Sequence, residues 1–99
     1  MSEEKHYNAV HDRTKQAYFV ELEVGYQAEV SYQISGNVLT LDHSHVPDAL
    51  RGKGYASIMM EAVLKGIEQE GYTIIPTCSY VAHYMNRHKE WQHLLSPNQ

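Results

Sequence analysis

The feature that most restricts the fold of this chain is a change in hydrophobic period near its middle. Between residues 26 and 35 apolar side chains alternate strictly with polar ones, which predicts a β-strand with one dry face and one wet face. After residue 56 the apolar residues recur three and four positions apart, at Met59, Met60, Val63, Leu64 and Ile67. That spacing forms one stripe on an α-helix. We therefore expect strands in the first half of the chain and helices in the second.

The other segments extend this pattern to an α/β fold with about five strands and two helices. Strand-forming residues and turn signals predict strands near residues 8–12, 16–24, 26–35, 38–46 and 73–77. Helices are expected from Ala56 to Glu70, ended by Gly71, and from Ser79 to about His88, with Ser79 as the N-cap. The first four strands are expected to form an antiparallel meander. The last strand follows a helix and is therefore expected to be parallel to its neighbour.

Composition and charge exclude several classes of protein. Ninety-nine residues suffice for one domain, which we expect to span residues 1–99. Eight Lys and Arg against twelve Asp and Glu give 8 − 12 = −4, and this acidic balance argues against a nucleic-acid partner. No apolar run approaches the roughly 20 residues that a membrane span needs. Residues 1–5 lack the apolar core of a signal peptide, and the single cysteine cannot form an internal disulfide. We therefore expect a cytoplasmic protein with no membrane partner.

The most informative segment is the loop between the fourth strand and the long helix, Arg51-Gly52-Lys53-Gly54-Tyr55-Ala56. Two glycines allow a tight turn and a close approach of the backbone to a ligand. The free amides and the positive dipole at the start of the helix attract anions, and Arg51 and Lys53 add charge. The loop therefore predicts a site for a phosphate-rich anion. It matches neither a Walker A loop nor the dinucleotide-binding fingerprint.

This loop resembles the acetyl-CoA loop of the GNAT N-acetyltransferase superfamily. Two further segments resemble those that flank the loop in a subfamily of very short GNAT-like proteins, namely His43-Ser44-His45-Val46-Pro47 and Pro76-Thr77-Cys78-Ser79-Tyr80. The resemblance implies a truncated GNAT-like fold with a splayed parallel central pair of strands. It also implies a coenzyme A site formed by Val46, Arg51, Gly52, Lys53, Gly54, Tyr55 and Ala56.

The function implied by the resemblance is transfer of an acetyl group from acetyl-CoA to an amine or thiol acceptor. The chain has neither the helices between the first two strands nor the extra final strands that build the acceptor site of longer GNAT enzymes. A non-catalytic coenzyme A-binding sensor or partner module is therefore the alternative. A homodimer would be one way to supply missing walls of the site.

Cys78 and His43 are the candidates for catalysis. Cys78 is expected at a strand end just before a helix, where a thiolate is favoured and could carry the acetyl group. The alternative is a small buried core residue. On a regular strand His43 would share a face with Leu39 and Leu41 and could act as a general base, although a bulge would change its direction. The resemblance places Asn86 where longer relatives have a general-acid tyrosine, with Tyr80 and Tyr84 out of register. No spacing typical of a metal site is present.

Overall fold

A computed structural model describes residues 7–97, so the expectation about residues 1–5 lies outside the described part. These residues form five strands: β1 (Ala9–Asp12), β2 (Ala17–Glu23), β3 (Tyr26–Ser35), β4 (Val38–His45) and β5 (Thr73–Pro76). The helices are α1 (Tyr55–Glu70) and α2 (Ser79–Arg87), with short 3-10 helices at Asp48–Leu50 and Lys89–Leu94. Within residues 7–97 no helix is long and apolar enough to cross a membrane.

The strands form one sheet in the order β1-β2-β3-β4-β5. Every neighbouring pair is antiparallel except β4 and β5, which are parallel because α1 carries the chain back between them. The predicted fold class, a mostly antiparallel sheet of five strands with two main helices, is confirmed. The parallel pair lies at one end of this sheet rather than at its centre.

One face of the sheet carries the hydrophobic core. The alternating residues of β3 are buried at Ala28, Val30 and Tyr32, whereas most of their polar neighbours face outward. The predicted stripe of α1 is fully buried against this face. Residues of α2 belong to the same core, so both helices cover one side of the sheet and leave the other exposed.

Glycines mark both ends of α1. Gly54 is the N-cap and Gly71 the C-cap, and both have left-handed backbone angles, with φ of 80° and 82°. The predicted end at Gly71 is confirmed. The predicted N-cap at Ser79 is wrong: Cys78 takes that position, and Ser79 is the first residue of α2. Cys78 has extended backbone angles, as an N-cap requires.

A bulge in β4 changes which residues face the core. Ser31 pairs with His43 and Tyr32 pairs with Leu41, so Asp42 is an extra residue with no partner of its own. Its carboxylate accepts hydrogen bonds from the side chains of Ser31 and Gln33 on the outer face. One inserted residue reverses the direction of every side chain beyond it.

The pairing of β4 with β5 ends well before β4 does. The last paired residues are Leu41 and Pro76, and β4 runs on to His45 beside β3 alone. The amides of Thr77 and Cys78 both donate to the carbonyl of Leu41, which turns the chain away from β4. Pro76 has no N–H and stands where the ladder stops. The two strands therefore separate at this point.

Candidate functional site

A cavity of about 380 Å³ lies beside the end of β4, where its pairing with β5 has stopped, and is bordered by the loop before α1. It is lined by Ser44, His45, Val46, Leu50, Arg51, Gly52, Gly54, Tyr55, Ala56, Met59 and Tyr80. Six of the seven residues proposed from the sequence for coenzyme A are among these, and Lys53 is not. Residues from the end of β4 and from the first turns of α1 and α2 thus meet at one cleft.

The loop before α1 is anchored in the core by the residue that precedes it, and its own residues 51–54 are exposed. Leu50, 2% exposed, fixes the 3-10 helix Asp48–Leu50 in the core. Gly52 and Gly54 then adopt φ of 82° and 80°, which residues with a Cβ rarely do. In residues 7–97 no backbone carbonyl accepts the amides of Gly52, Lys53 or Gly54, and no side chain caps α1. These donors are therefore available to an anion at the positive end of the helix dipole.

The cationic side chains of the loop already have acidic partners. The guanidinium of Arg51 lies 3.0 Å from Asp48, and the ammonium of Lys53 lies 4.0 Å from Glu23. The hydroxyl of Tyr55 also donates to Glu23, at 2.7 Å. That hydrogen bond, helped by desolvation, raises the pKa of Tyr55 to about 12, so its hydroxyl stays protonated. The attraction of the loop for anions therefore comes mainly from its backbone.

Ser44 and Cys78 meet where the two parallel strands separate. Ser44 pairs with Val30, a core residue, and so faces inward. Its hydroxyl lies 3.4 Å from the Cys78 sulfur. Cys78 is half-buried and does not itself line the cavity, but its partner Ser44 does. The thiol therefore contacts a residue that lines the cavity, without lining it itself.

The surroundings of Cys78 favour its thiolate. Burial alone would raise the pKa of the thiol, but the Ser44 hydroxyl and the amides of Val81 and Tyr80 outweigh it, and the net pKa is lowered. The side chain makes no regular cap hydrogen bond. The first-turn amides of α2 still point toward the sulfur, which is the environment expected of a reactive cysteine.

His43 does not reach this site. The bulge at Asp42 places it opposite Ser31 on the outer face of the sheet, where it is exposed. Leu39 and Leu41 are buried on the other face, so the expected shared direction is wrong. Ser44 occupies the inward position instead. The sequence contains a weak signal for this, because the polar pair Asp42-His43 interrupts the apolar alternation of β4.

Tyr80 also lines the cavity, although it was not among the residues predicted for the site. It lies in the first turn of α2 and lines the cavity across from the glycine loop. Burial raises the pKa of its hydroxyl, and a contact with Ser57 partly opposes the shift. Tyr84, one turn later, is buried in the core and does not line the cavity. Among residues 7–97 no group of acidic, histidine or cysteine side chains is arranged to hold a metal ion.

This combination of a sheet that opens between two parallel strands and a glycine loop at a helix N-terminus defines an N-acetyltransferase-type domain. The sequence model of the GCN5-related N-acetyltransferases matches residues 17–94. The chain belongs to this family.

Sequence relatives were found over most of the chain, and one solved structure shares its fold. The chain is 31% identical over 86 residues to proteins named NATD1 from chicken (Gallus gallus), mouse (Mus musculus) and human (Homo sapiens). The match covers 85% of this chain and 76–78% of those proteins. The solution structure of a GCN5-like protein from Staphylococcus aureus superposes with a TM-score of 0.66 at 21% identity. That comparison covers 93% of this chain and 90% of the other, and shows the shared fold.

Proposed function

We propose that this protein binds acetyl-CoA and transfers the acetyl group to an amine or thiol acceptor. One observation carries the proposal: a single cavity joins a loop of free backbone amides to Ser44, the hydrogen-bond partner of a thiol with a lowered pKa. The first feature suits a diphosphate, and the second suits acyl transfer.

The diphosphate of coenzyme A would be held by the backbone from Gly52 to Ala56. Among the described residues no backbone carbonyl accepts the amides of residues 52–54, and the first turn of α1 adds donors that no side chain caps. The acyl end would then lie toward Ser44 and Tyr80, on the side of the cavity where β4 and β5 separate. The cavity is lined largely by apolar surface, which fits the uncharged chain between these two ends.

We favour a covalent route through Cys78 over direct attack assisted by His43, because His43 lies on the opposite face. The Cys78 thiolate attacks the thioester carbonyl, an S-acetyl bond forms on Cys78, and the coenzyme leaves as its thiolate. The acceptor amine then attacks the S-acetyl group, an amide forms, and the cysteine sulfur recovers a proton from the amine. The hydroxyl of Ser44 donates to the sulfur and stabilises the thiolate in both half-reactions.

The proposal takes residues 1–99 as one domain acting in the cytoplasm, with no nucleic-acid or membrane partner. A second copy of the chain would be one source of the acceptor-site walls that longer relatives build from additional elements.

Two measurements on the purified chain test the proposal. Calorimetric titration with coenzyme A should show binding. Intact-mass spectrometry after incubation with acetyl-CoA should then show one added acetyl group, which is absent in Cys78→Ala and slower to form in Ser44→Ala. Failure to bind coenzyme A overturns the whole proposal.

The second measurement separates the routes. If Cys78→Ala still acetylates an amine acceptor at the rate of the parent chain, the covalent route is wrong and direct transfer is correct. If the parent chain binds coenzyme A but acquires no label and acetylates no member of a broad amine and thiol panel, transfer is wrong and the protein is a binding module.

A further inference from the structure

Glu23, the last residue of β2, contacts the loop before α1 without lining the cavity. Its Oε2 accepts the hydrogen bond from the Tyr55 hydroxyl at 2.7 Å and lies 4.0 Å from the ammonium of Lys53. These two partners stand on either side of Gly54, the N-cap of α1. One carboxylate oxygen therefore contacts the loop on both sides of the glycine that begins the helix.

A bulge in β2 directs Glu23 toward this loop. Glu21 and Glu23 pair with consecutive residues of β3, numbers 27 and 26, so Leu22 is an extra residue with no partner of its own. Glu21 is exposed on the outer face of the sheet, whereas Glu23 lies beyond the bulge and reaches the first residue of α1 on the helix side. The inserted residue thus places a carboxylate beside a loop that is proposed to bind an anion.

The charge of Glu23 opposes what an anion site requires. A carboxylate near the loop repels a diphosphate, and its ion pair holds Lys53 at a position that does not line the cavity. Arg51 is paired as well, with Asp48, but it does line the cavity. Lys53 therefore differs from Arg51 in being held away from the ligand by its partner.

We propose that Glu23 is a positioning residue that keeps Lys53 outside the coenzyme site and so limits the affinity of the loop for the diphosphate. The inference rests on the proposed function. Because acetyl-CoA and coenzyme A share the diphosphate, the limit applies to the donor and equally to the product that must leave. A weaker hold on the product shortens the time before the next donor binds.

The test is calorimetric titration of the full chain with coenzyme A at low and at moderate salt. Glu23→Gln keeps an oxygen that can accept from the Tyr55 hydroxyl but removes the charge that holds Lys53. This variant should bind coenzyme A roughly two- to fivefold more tightly than the parent, which is the size of one exposed ion pair. The gain should decrease with added salt, because an exposed ammonium is screened.

A Lys53→Gln background separates repositioning of the ammonium from simple repulsion between two anions. Glu23→Gln should lose most of its effect in this background, because no ammonium remains to be released. A merely structural role of Glu23 would not produce this dependence. If Glu23→Gln increases the affinity equally in both backgrounds, repulsion is the whole effect and the inference is wrong.

Glu21→Gln is the matched control. It removes the same charge two residues earlier, at an exposed position on the outer face of the sheet, and should leave the affinity unchanged. The inference is overturned if Glu23→Gln fails to increase the affinity for coenzyme A, or if Glu21→Gln increases it by the same factor. A parent chain that does not bind coenzyme A at all overturns the proposed function and, with it, this inference.

Discussion

Gly54→Ala offers the sharpest test of a ligand site built from backbone amides, because α1 supplies its own control. Gly54 and Gly71 cap the two ends of this helix with nearly identical backbone angles, φ 80° and ψ 10° against φ 82° and ψ 19°. A Cβ built at either position meets no atom within 4 Å. Both substitutions therefore add the same strain and no collision.

The expected loss of stability is equal for the two variants. An L-residue in the left-handed region costs about 1–2 kcal/mol. For a domain of this size each 1 kcal/mol lowers the melting temperature by about 4–8 °C. Thermal denaturation followed by circular dichroism should therefore show similar shifts for Gly54→Ala and Gly71→Ala.

The expected loss of affinity is confined to Gly54→Ala. The strained alanine in this variant relaxes by rotating the peptide units on either side, and those units belong to the loop that borders the cavity. The part of the strain that is relieved in this way must be restored on binding, so the Kd for coenzyme A rises, by roughly 5- to 30-fold where all of the strain of about 1–2 kcal/mol is relieved, with a correspondingly smaller loss of stability. Gly71→Ala should bind as the parent does. Equal affinities for the two variants would refute the view that the loop binds its ligand through the backbone.

Three further outcomes follow from the contacts described above. Ser44→Ala should raise the pKa of Cys78, so the pH profile of its alkylation by iodoacetamide should move to higher pH; an unchanged profile would exclude Ser44 as the partner of the thiol. His43→Gln should leave acetyl transfer unchanged, and a large loss of activity would contradict the facing set by the bulge. Burial tends to raise the pKa of Glu70, but hydrogen bonds from His11 and Tyr18 outweigh it and lower the pKa. A lowered folded-state pKa gives stability that is present at neutral pH and lost as the pH falls through that pKa. The urea midpoint of Glu70→Gln should therefore lie below that of the parent near neutral pH and approach it as the pH falls through the lowered pKa of Glu70, and a constant gap would show that the charge of Glu70 is not involved.

The sequence was sufficient for those parts of the fold that local chemistry determines. The alternation in β3 and the stripe of α1 depend on burial of each residue relative to its near neighbours, so their periods are visible in one segment alone. The glycines of the loop were equally visible, because a left-handed backbone selects for glycine without reference to the rest of the chain.

The direction of the catalytic candidates could not be read in the same way. Register is a property of two strands, and the extra residue at Asp42 becomes evident only when β4 is paired with β3. When the alternation of Leu39 and Leu41 is continued past this point, it predicts that His43 faces the site. The bulge instead makes Ser44 face the core side of the sheet. The sequence therefore led to the proposal of Cys78 but not of the hydroxyl that contacts it, that of Ser44.

The proposed function requires an acidic chain to bind an anionic coenzyme, so its positive potential must be local. At the glycine loop Asp48 and Glu23 largely neutralise the two cationic side chains, so the backbone provides the attraction there, and fixed dipoles at close contact are little affected by salt. The affinity of the chain for coenzyme A should therefore change little as salt is added in a calorimetric titration. A steep decline would mean that side-chain charge, rather than the amides of residues 52–56, holds the diphosphate.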